Sequence, residues 1–164
     1  MAMTRDEFGE RIERMQGSLY RVAYGMLYNR HDCADAIQEA ILRAWQKRER
    51  LSDAVLFEHW VMRILINECR DQIKRRGRLT YTDRLPDAAA PQDADEGLHD
   101  ALARLEDKLR LPVVLHYMEG YQIDEIARML SCPAGTVKTR LRKAKEVLRG
   151  QLDLTERRVC HAEG

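Results

Sequence analysis

The chain has no apolar run approaching the roughly eighteen residues that a membrane-spanning helix needs, and no signal-peptide pattern opens it. Insertion into a membrane is therefore not expected, and a cytoplasmic location is. Cys33, Cys69, Cys132 and Cys160 form no C-x-x-C pair, which argues against a disulfide framework and a structural zinc site. Cys160–His161 reads as a bystander pair near the chain end. The glycines are isolated, so no loop is built to cradle phosphate, and there is no nucleophile elbow or H-E-x-x-H pair. The five histidines are dispersed, with no acid set beside one as a relay. No catalytic residue, metal ligand or cofactor is assigned, and the chain reads as a binding protein, not an enzyme. Aromatics make up only 6% of the residues, so a core must rest on Leu, Ile, Val, Met and Ala. No segment alternates over a useful strand length, which leaves an all-α fold.

Against these absences, Tyr121–Arg149 stands out. Ile123, Ile126, Ala127 and Leu130 fall at helical spacing. Ser131-Cys132-Pro133 then breaks the pattern, since proline cannot donate to a continuing helix and fits best at a helix start. Val137, Leu141, Ala144 and Leu148 begin a second stripe. Lys138, Arg140, Arg142, Lys143, Lys145 and Arg149 lie off that stripe, with Glu146 as the acid among them. A short helix, a tight turn and a basic second helix predict a helix-turn-helix whose second helix enters the DNA major groove. The formal net charge of +1 hides this cluster, because acid elsewhere balances it.

Upstream, Phe8, Ile12, Met15, Leu19, Val22 and Met26 mark a first helix. Asn29-Arg30-His31-Asp32 interrupts it and offers Asp32 as a cap for the next. Ala36, Ile37, Ala40, Ile41, Ala44 and Trp45 form a second stripe. After the polar Lys47–Asp53 stretch, Phe57, Trp60, Val61, Ile64, Leu65, Cys69 and Ile73 form a third. Residues 78–97 lose periodicity, carry Pro86 and Pro91, and are net acidic, which is the signature of a flexible linker. Beyond it, Leu98, Leu102, Leu105 and Leu109 share a predicted helix face, and Leu111-Pro112 starts a short helix over Val113–Met118 that ends at Glu119-Gly120. The expected organisation is a helical domain over residues 1–77 with three to four helices, the linker at 78–97, a second helical domain over 98–152 and a tail at 153–164.

The run Asp32-Cys33-Ala34-Asp35-Ala36-Ile37-Gln38-Glu39-Ala40-Ile41-Leu42-Arg43-Ala44-Trp45 resembles the D-A-x-D-x-x-Q-E-x-F-x-x-A-W signature of the second conserved region of bacterial sigma factors. Phe57-x-x-Trp60-x-x-Arg63-Ile64, followed by Ile66-Asn67-Glu68-Cys69-Arg70-Asp71, is similar to the helix of that region that reads and melts the −10 element. Glu125-Ile126-Ala127 through Gly135-Thr136-Val137-Lys138-Thr139-Arg140-Leu141 resembles the helix-turn-helix of the fourth region. The order of the motifs, with no middle region, is the layout of the extracytoplasmic-function (group 4) sigma factors of the sigma-70 family. The match covers nearly the whole chain.

The resemblance implies partners and sites. Asp35, Gln38 and Glu39, at i, i+3 and i+4 of one helix, make a polar, acidic patch opposite Ile37, Ile41 and Trp45, and the family's patch there binds core RNA polymerase. Promoter DNA at −10 would meet Trp60, Arg63, Asn67, Arg70, Lys74 and Arg75. Asn67 would bond a base edge, the cations, Arg76 among them, would meet phosphates, and Trp60 is open between core packing and stacking on unpaired bases. The Lys47–Leu56 loop sits where the family holds a flipped base. At −35, Thr136 at the helix start would bind phosphate. Lys138, Thr139, Arg142 and Lys143 would face the groove, and Arg140 and Lys145 would reach phosphates. Ser131 stands where relatives commonly have glycine. An anti-sigma factor, often membrane-anchored in this family, is a further expected partner. The linker's acidity suggests occupancy of the polymerase's positively charged RNA-exit path. An ordinary dimeric regulator would not need the Asp35–Gln38–Glu39 patch. A sigma-like decoy that binds only an anti-sigma factor would not need the cations of Lys138–Arg149.

Overall fold

The computed structural model describes residues 3–76 and 96–162, the side chains of 96–99 and 152–162 excepted. The expected linker, apart from its last two residues, lies outside the described residues, as do the side chains of Cys160 and His161. Among the described residues there are helices and turns but no strand, and no helix is long and apolar enough to cross a membrane. The chain divides into two compact units, Met1–Pro91 and Gln92–Gly164.

In the first unit α1 spans Arg5–Leu27, α2 Arg30–Lys47 and α3 Phe57–Arg75, each packed against the other two. A capping box starts α1. The Thr4 amide donates to Glu7 at 3.0 Å and the Glu7 amide to the Thr4 hydroxyl at 3.3 Å. The bond from the Thr4 amide, followed by that from the Thr4 side chain, holds the Glu7 carboxyl below its ordinary pKa. The helix stops at Tyr28, which is left-handed at φ 51°.

Asn29, not Asp32, caps α2. Its backbone is extended, at φ −144° and ψ 127°, so its side chain can reach back to accept from the Asp32 amide at 3.1 Å. Asp32 lies inside the first turn and is buried. Its carboxylate pairs with Arg76 and its carbonyl accepts from the Gln72 amide at 3.3 Å, which ties the start of α2 to the end of α3.

The buried floor of α2 is Cys33, Ala36, Ala40 and Ala44, so small side chains let its backbone approach α3 closely. Ile37, Ile41 and Trp45 are half-buried flanks and not the floor. Helix α3 buries more than one stripe, because it faces two helices. Met62 and Ile66 are as buried as Val61 and Leu65, while Trp60, Ile64 and Ile73 are half-exposed. Phe8 joins the ends of all three helices, 5.2 Å edge-on from Trp45 and 5.5 Å from Phe57. Burial pushes the Cys33 thiol up to about 12 and raises Cys69 as well, so both remain neutral packing groups at ordinary pH.

In the second unit α4 spans Glu96–Arg104, α5 Asp107–Val113, α6 Ile123–Leu130 and α7 Ala134–Ala162. The single face expected over Leu98–Leu109 is broken between α4 and α5. Arg110 explains how the break is tolerated. Its buried guanidinium donates to the carbonyls of Leu102 at 2.8 Å, Leu105 at 2.6 Å and Ala103 at 3.3 Å, at and just beyond the end of α4, where Leu102 also accepts from the Leu105 amide at 3.1 Å. Asp107 balances the charge at 2.9 Å.

Pro112 sits within α5 and does not start a helix. Its ring removes one donor, and the next turn, Val114–Met118, widens to π geometry with the Glu119 amide on the Val114 carbonyl at 3.0 Å. Gly120, at φ 78°, then reverses the chain. His116 Nδ1 lies 2.8 Å from the Tyr121 carbonyl. A carbonyl only accepts, so that nitrogen carries the proton.

Helix α6 opens with the Gln122 amide donating to Glu125 at 2.7 Å and buries Ile126, Ala127, Met129 and Leu130. Ser131 ends it in the left-handed region, φ 54° and ψ 46°, and the Cys132 amide closes onto the Ala127 carbonyl at 3.0 Å. Pro133 comes just before α7 and its carbonyl accepts from Thr136 at 3.0 Å, so the expected helix-turn-helix break is there. A left-handed serine costs about 1–2 kcal/mol, against the extra chain entropy that glycine loses on folding. Ser131→Gly is expected to stabilise this unit by about 0.5–1 kcal/mol, read as a rise in midpoint by far-UV circular dichroism. An unchanged midpoint would mean that the serine's own hydrogen bonding matches the backbone cost.

Candidate functional site

The acidic patch lies on α2. Asp35 and Gln38 are exposed, Glu39 is half-exposed, and Leu42, 48% exposed, sits among them one turn on. The structure thus brings Asp35, Gln38 and Glu39 onto one outward face, opposite the alanine floor. Glu39 is not a loose side chain. Arg43 Nε donates to it at 3.2 Å, and Arg43 Nη1 also lies 2.6 Å from Glu68 of α3. The bond to Glu39, helped by the charge of Glu68, raises the Arg43 pKa further. Two of these groups were missed from sequence. Leu42 follows Gln38 and Glu39 by four and three positions, so helical spacing alone could have placed it. Glu68, between Ile66 and Cys69 in an apolar run, was visible as an acid in a core register.

On α3, Trp60, Arg63, Asn67, Arg70 and Lys74 follow one another at alternating steps of three and four, so they share one face. Arg63, Asn67 and Lys74 are exposed, while Trp60 and Arg70 are half-buried. The Trp60 ring packs at a tilt, 6.4 Å from Phe57, and is half-buried. Arg75 lies off this face. Its Nε donates to the Asp71 carbonyl at 3.4 Å and its Nη2 is 3.9 Å from Glu68. Arg76, expected at a phosphate, is paired with Asp32, its side chain 46% exposed.

The Lys47–Leu56 loop beside this helix is built from short 3₁₀ turns and fixed from α1. Arg11 donates to the Ala54 carbonyl at 2.5 Å and its guanidinium lies 5.4 Å from the Phe57 ring centre. Arg48 stacks 3.8 Å over Trp45, and Asp53 accepts from the Val55 amide at 2.9 Å. Val55 is left 76% exposed at the tip.

Helix α7 buries Val137, Leu141 and Ala144 and presents Lys138, Thr139, Arg142 and Lys143 to solvent. Thr136 and Arg140 are half-buried at the edge of that face. The Thr139 hydroxyl donates to the Gly135 carbonyl at 2.9 Å, which orients its lone pairs outward. Lys145, expected at a phosphate, has its ammonium 5.2 Å from the centre of the half-exposed Tyr117 ring. A side chain at Gly135 would meet nothing within 4 Å, so the start of α7 is uncrowded there, while the Thr136 and Val137 amides are taken by the Pro133 carbonyl at 3.0 and 3.3 Å.

The outward α7 cations and the shared face of α3 belong to separate units. Residues 11–79 match the family model for sigma-70 region 2, and residues 95–148 match that for sigma-70 region 4. The ECF RNA polymerase sigma factor SigW of Bacillus subtilis is 29% identical, over 90% of each chain. The RNA polymerase sigma-E factor of Streptomyces antibioticus is 34% identical, over 90% of this chain and 85% of its own. Among solved structures, the sigma factor RpoE of Bartonella quintana, in complex with the anti-sigma factor NepR, superposes with a TM-score of 0.77 at 22% identity, covering 90% of this chain and 97% of that one. CnrH, in complex with the cytosolic domain of CnrY, gives 0.72 at 23% identity, covering 92% and 90%. With both regions matched in order and a relative above 30% identity along most of its length, the chain belongs to the sigma-70 family and, within it, to the extracytoplasmic-function sigma factors.

Proposed function

We propose that residues 1–77 bind core RNA polymerase and read the −10 element, that residues 98–152 read the −35 element, and that the chain itself forms and breaks no covalent bond. Asp35, Gln38 and Glu39 are assigned to polymerase. Trp60, Arg63, Asn67, Arg70, Lys74 and Arg75 are assigned to the −10 strand. Thr136, Lys138, Thr139, Arg140, Arg142 and Lys143 are assigned to the −35 duplex. The observation that carries this reading is the single outward face shared by Trp60, Arg63, Asn67, Arg70 and Lys74, which sets an aromatic platform and an amide among cations. Stacking and base-edge bonding on such a face suit unpaired bases, while the cations supply affinity without sequence preference. The protein acts in the cytoplasm with the polymerase. An anti-sigma factor that covers these faces is a further proposed partner, supported by the complex of RpoE with the anti-sigma factor NepR.

Run-off transcription with core polymerase tests the reading. Promoter-dependent transcripts are expected from the wild-type chain, and their absence would overturn it. The same assay, run across a salt series, separates the roles on α7. Lys143→Ala, on the outward face, is expected to cost about 1–3 kcal/mol and to relax preference at one base pair. Arg140→Ala, at the edge, is expected to weaken all promoters alike and to lower the salt slope by about one. The reverse pattern would mean that the helix meets DNA with its other edge.

A further inference from the structure

Glu68 is an acid where the fold calls for an apolar side chain. It is 1% exposed, between the buried Ile66 and Cys69, and both of its oxygens are buried without a hydrogen-bond partner, so ion pairing is what holds them. Carboxylates so buried are rare unless paired. Guanidinium groups approach from both sides, Arg43 Nη1 at 2.6 Å from one oxygen and Arg75 Nη2 at 3.9 Å from the other. Arg43 is planar, and its Nε edge holds Glu39 at 3.2 Å. The order is therefore a buried acid on α3, a half-exposed arginine on α2, and an acid of the outward patch. A planar guanidinium drawn to a buried charge at one side restricts the direction of the acid hydrogen-bonded at its Nε.

We propose that Glu68, through Arg43, is a positioning residue for polymerase binding. It fixes Glu39 in one rotamer before the partner arrives. The inference rests on the assignment of Asp35, Gln38 and Glu39 to core polymerase. The conformational freedom that Glu39 would otherwise lose on binding is already lost in the free protein. Glu68 contacts no partner itself. Its loss strands no buried charge, because the side chains of Arg43 and Arg75 are 41% and 66% exposed and stay hydrated.

The test is a cycle of wild type, Glu39→Ala, Glu68→Met and the double variant, each titrated against core RNA polymerase and each melted. Glu68→Met is expected to bind roughly two- to ten-fold more weakly with a midpoint unchanged or raised. The double variant should bind no more weakly than Glu39→Ala alone. Arg43→Lys, half-exposed and clear of the core, keeps the charge but not the fork and should show the same loss and the same lack of additivity. It reads the proposal even if Glu68→Met folds poorly. Wild-type affinity for both Glu68→Met and Arg43→Lys, or losses that multiply with Glu39→Ala, would overturn the positioning role and leave the patch assignment standing. Wild-type affinity for Glu39→Ala would remove that residue from the patch, and the positioning role with it.

Discussion

Replacing Asp35 and Glu39 together with arginine is expected to abolish assembly with core RNA polymerase while leaving the helices intact. Asp35 is exposed and Glu39 half-exposed, so neither contributes a packed side chain to the bundle. The arginine introduced in place of Glu39 would face Arg43 one turn on, at a cost of a few tenths of a kcal/mol, and Arg43 would keep its contact with Glu68. Against a complementary basic surface the same change replaces attraction with like-charge contact, which costs several kcal/mol. About 4 kcal/mol would already be a loss of about a thousand-fold. Co-sedimentation with core polymerase measures the loss, and circular dichroism with a thermal midpoint checks the fold. If the doubly reversed protein assembled as the wild type does, the α2 face would be plain solvated surface.

Arg110→Met is expected to unfold the second unit and spare the first. The buried guanidinium serves the carbonyls of Leu102, Ala103 and Leu105. Without it, the carbonyls of Ala103 and Leu105 lose this donor at about 1–3 kcal/mol each, while Leu102 keeps the Leu105 amide. The sum is several kcal/mol, comparable with the whole stability of a domain this small. Trp45 and Trp60, the only tryptophans, are both in the first unit. Circular dichroism should therefore lose helix at temperatures where tryptophan emission is still native, and −35-dependent transcription should fall with it. Coincident, unshifted transitions by both probes would mean that the carbonyls find other partners.

Much of this molecule is legible in its sequence because helical periodicity reports burial directly. The stripes of α1 and α7 read correctly, and Pro133 marks the turn between α6 and α7. What escaped depends on contacts that spacing does not encode. Met62 and Ile66 fall off the expected stripe because α3 has neighbours on two sides. Asp32 has the chemistry of a cap, but the extended backbone that a cap needs occurs at Asn29. The break after Arg104 is set by a guanidinium that reaches back across a helix end. Pro112 is tolerated inside α5 because the following turn widens. For the candidate site, motif position put Asp35, Gln38 and Glu39 on one face and Trp60 through Lys74 on another. It could not show that Arg75 and Arg76 turn toward Glu68 and Asp32.

Helix α7 is a single unbroken rod from Ala134 to Ala162, and its outward cations share phase with the stripe of Val137, Leu141 and Ala144. One residue inserted between Lys143 and Ala144 would turn everything beyond it by about 100°. Ala144 and Leu148 would leave the core side and Arg149 would leave its place beside the cationic face. An insertion of seven residues, by contrast, returns to within about 20° of the original phase. Length variation inside this helix should therefore be tolerated in near-whole pairs of turns, and a gained or lost single codon there should be as damaging as a substitution in the core.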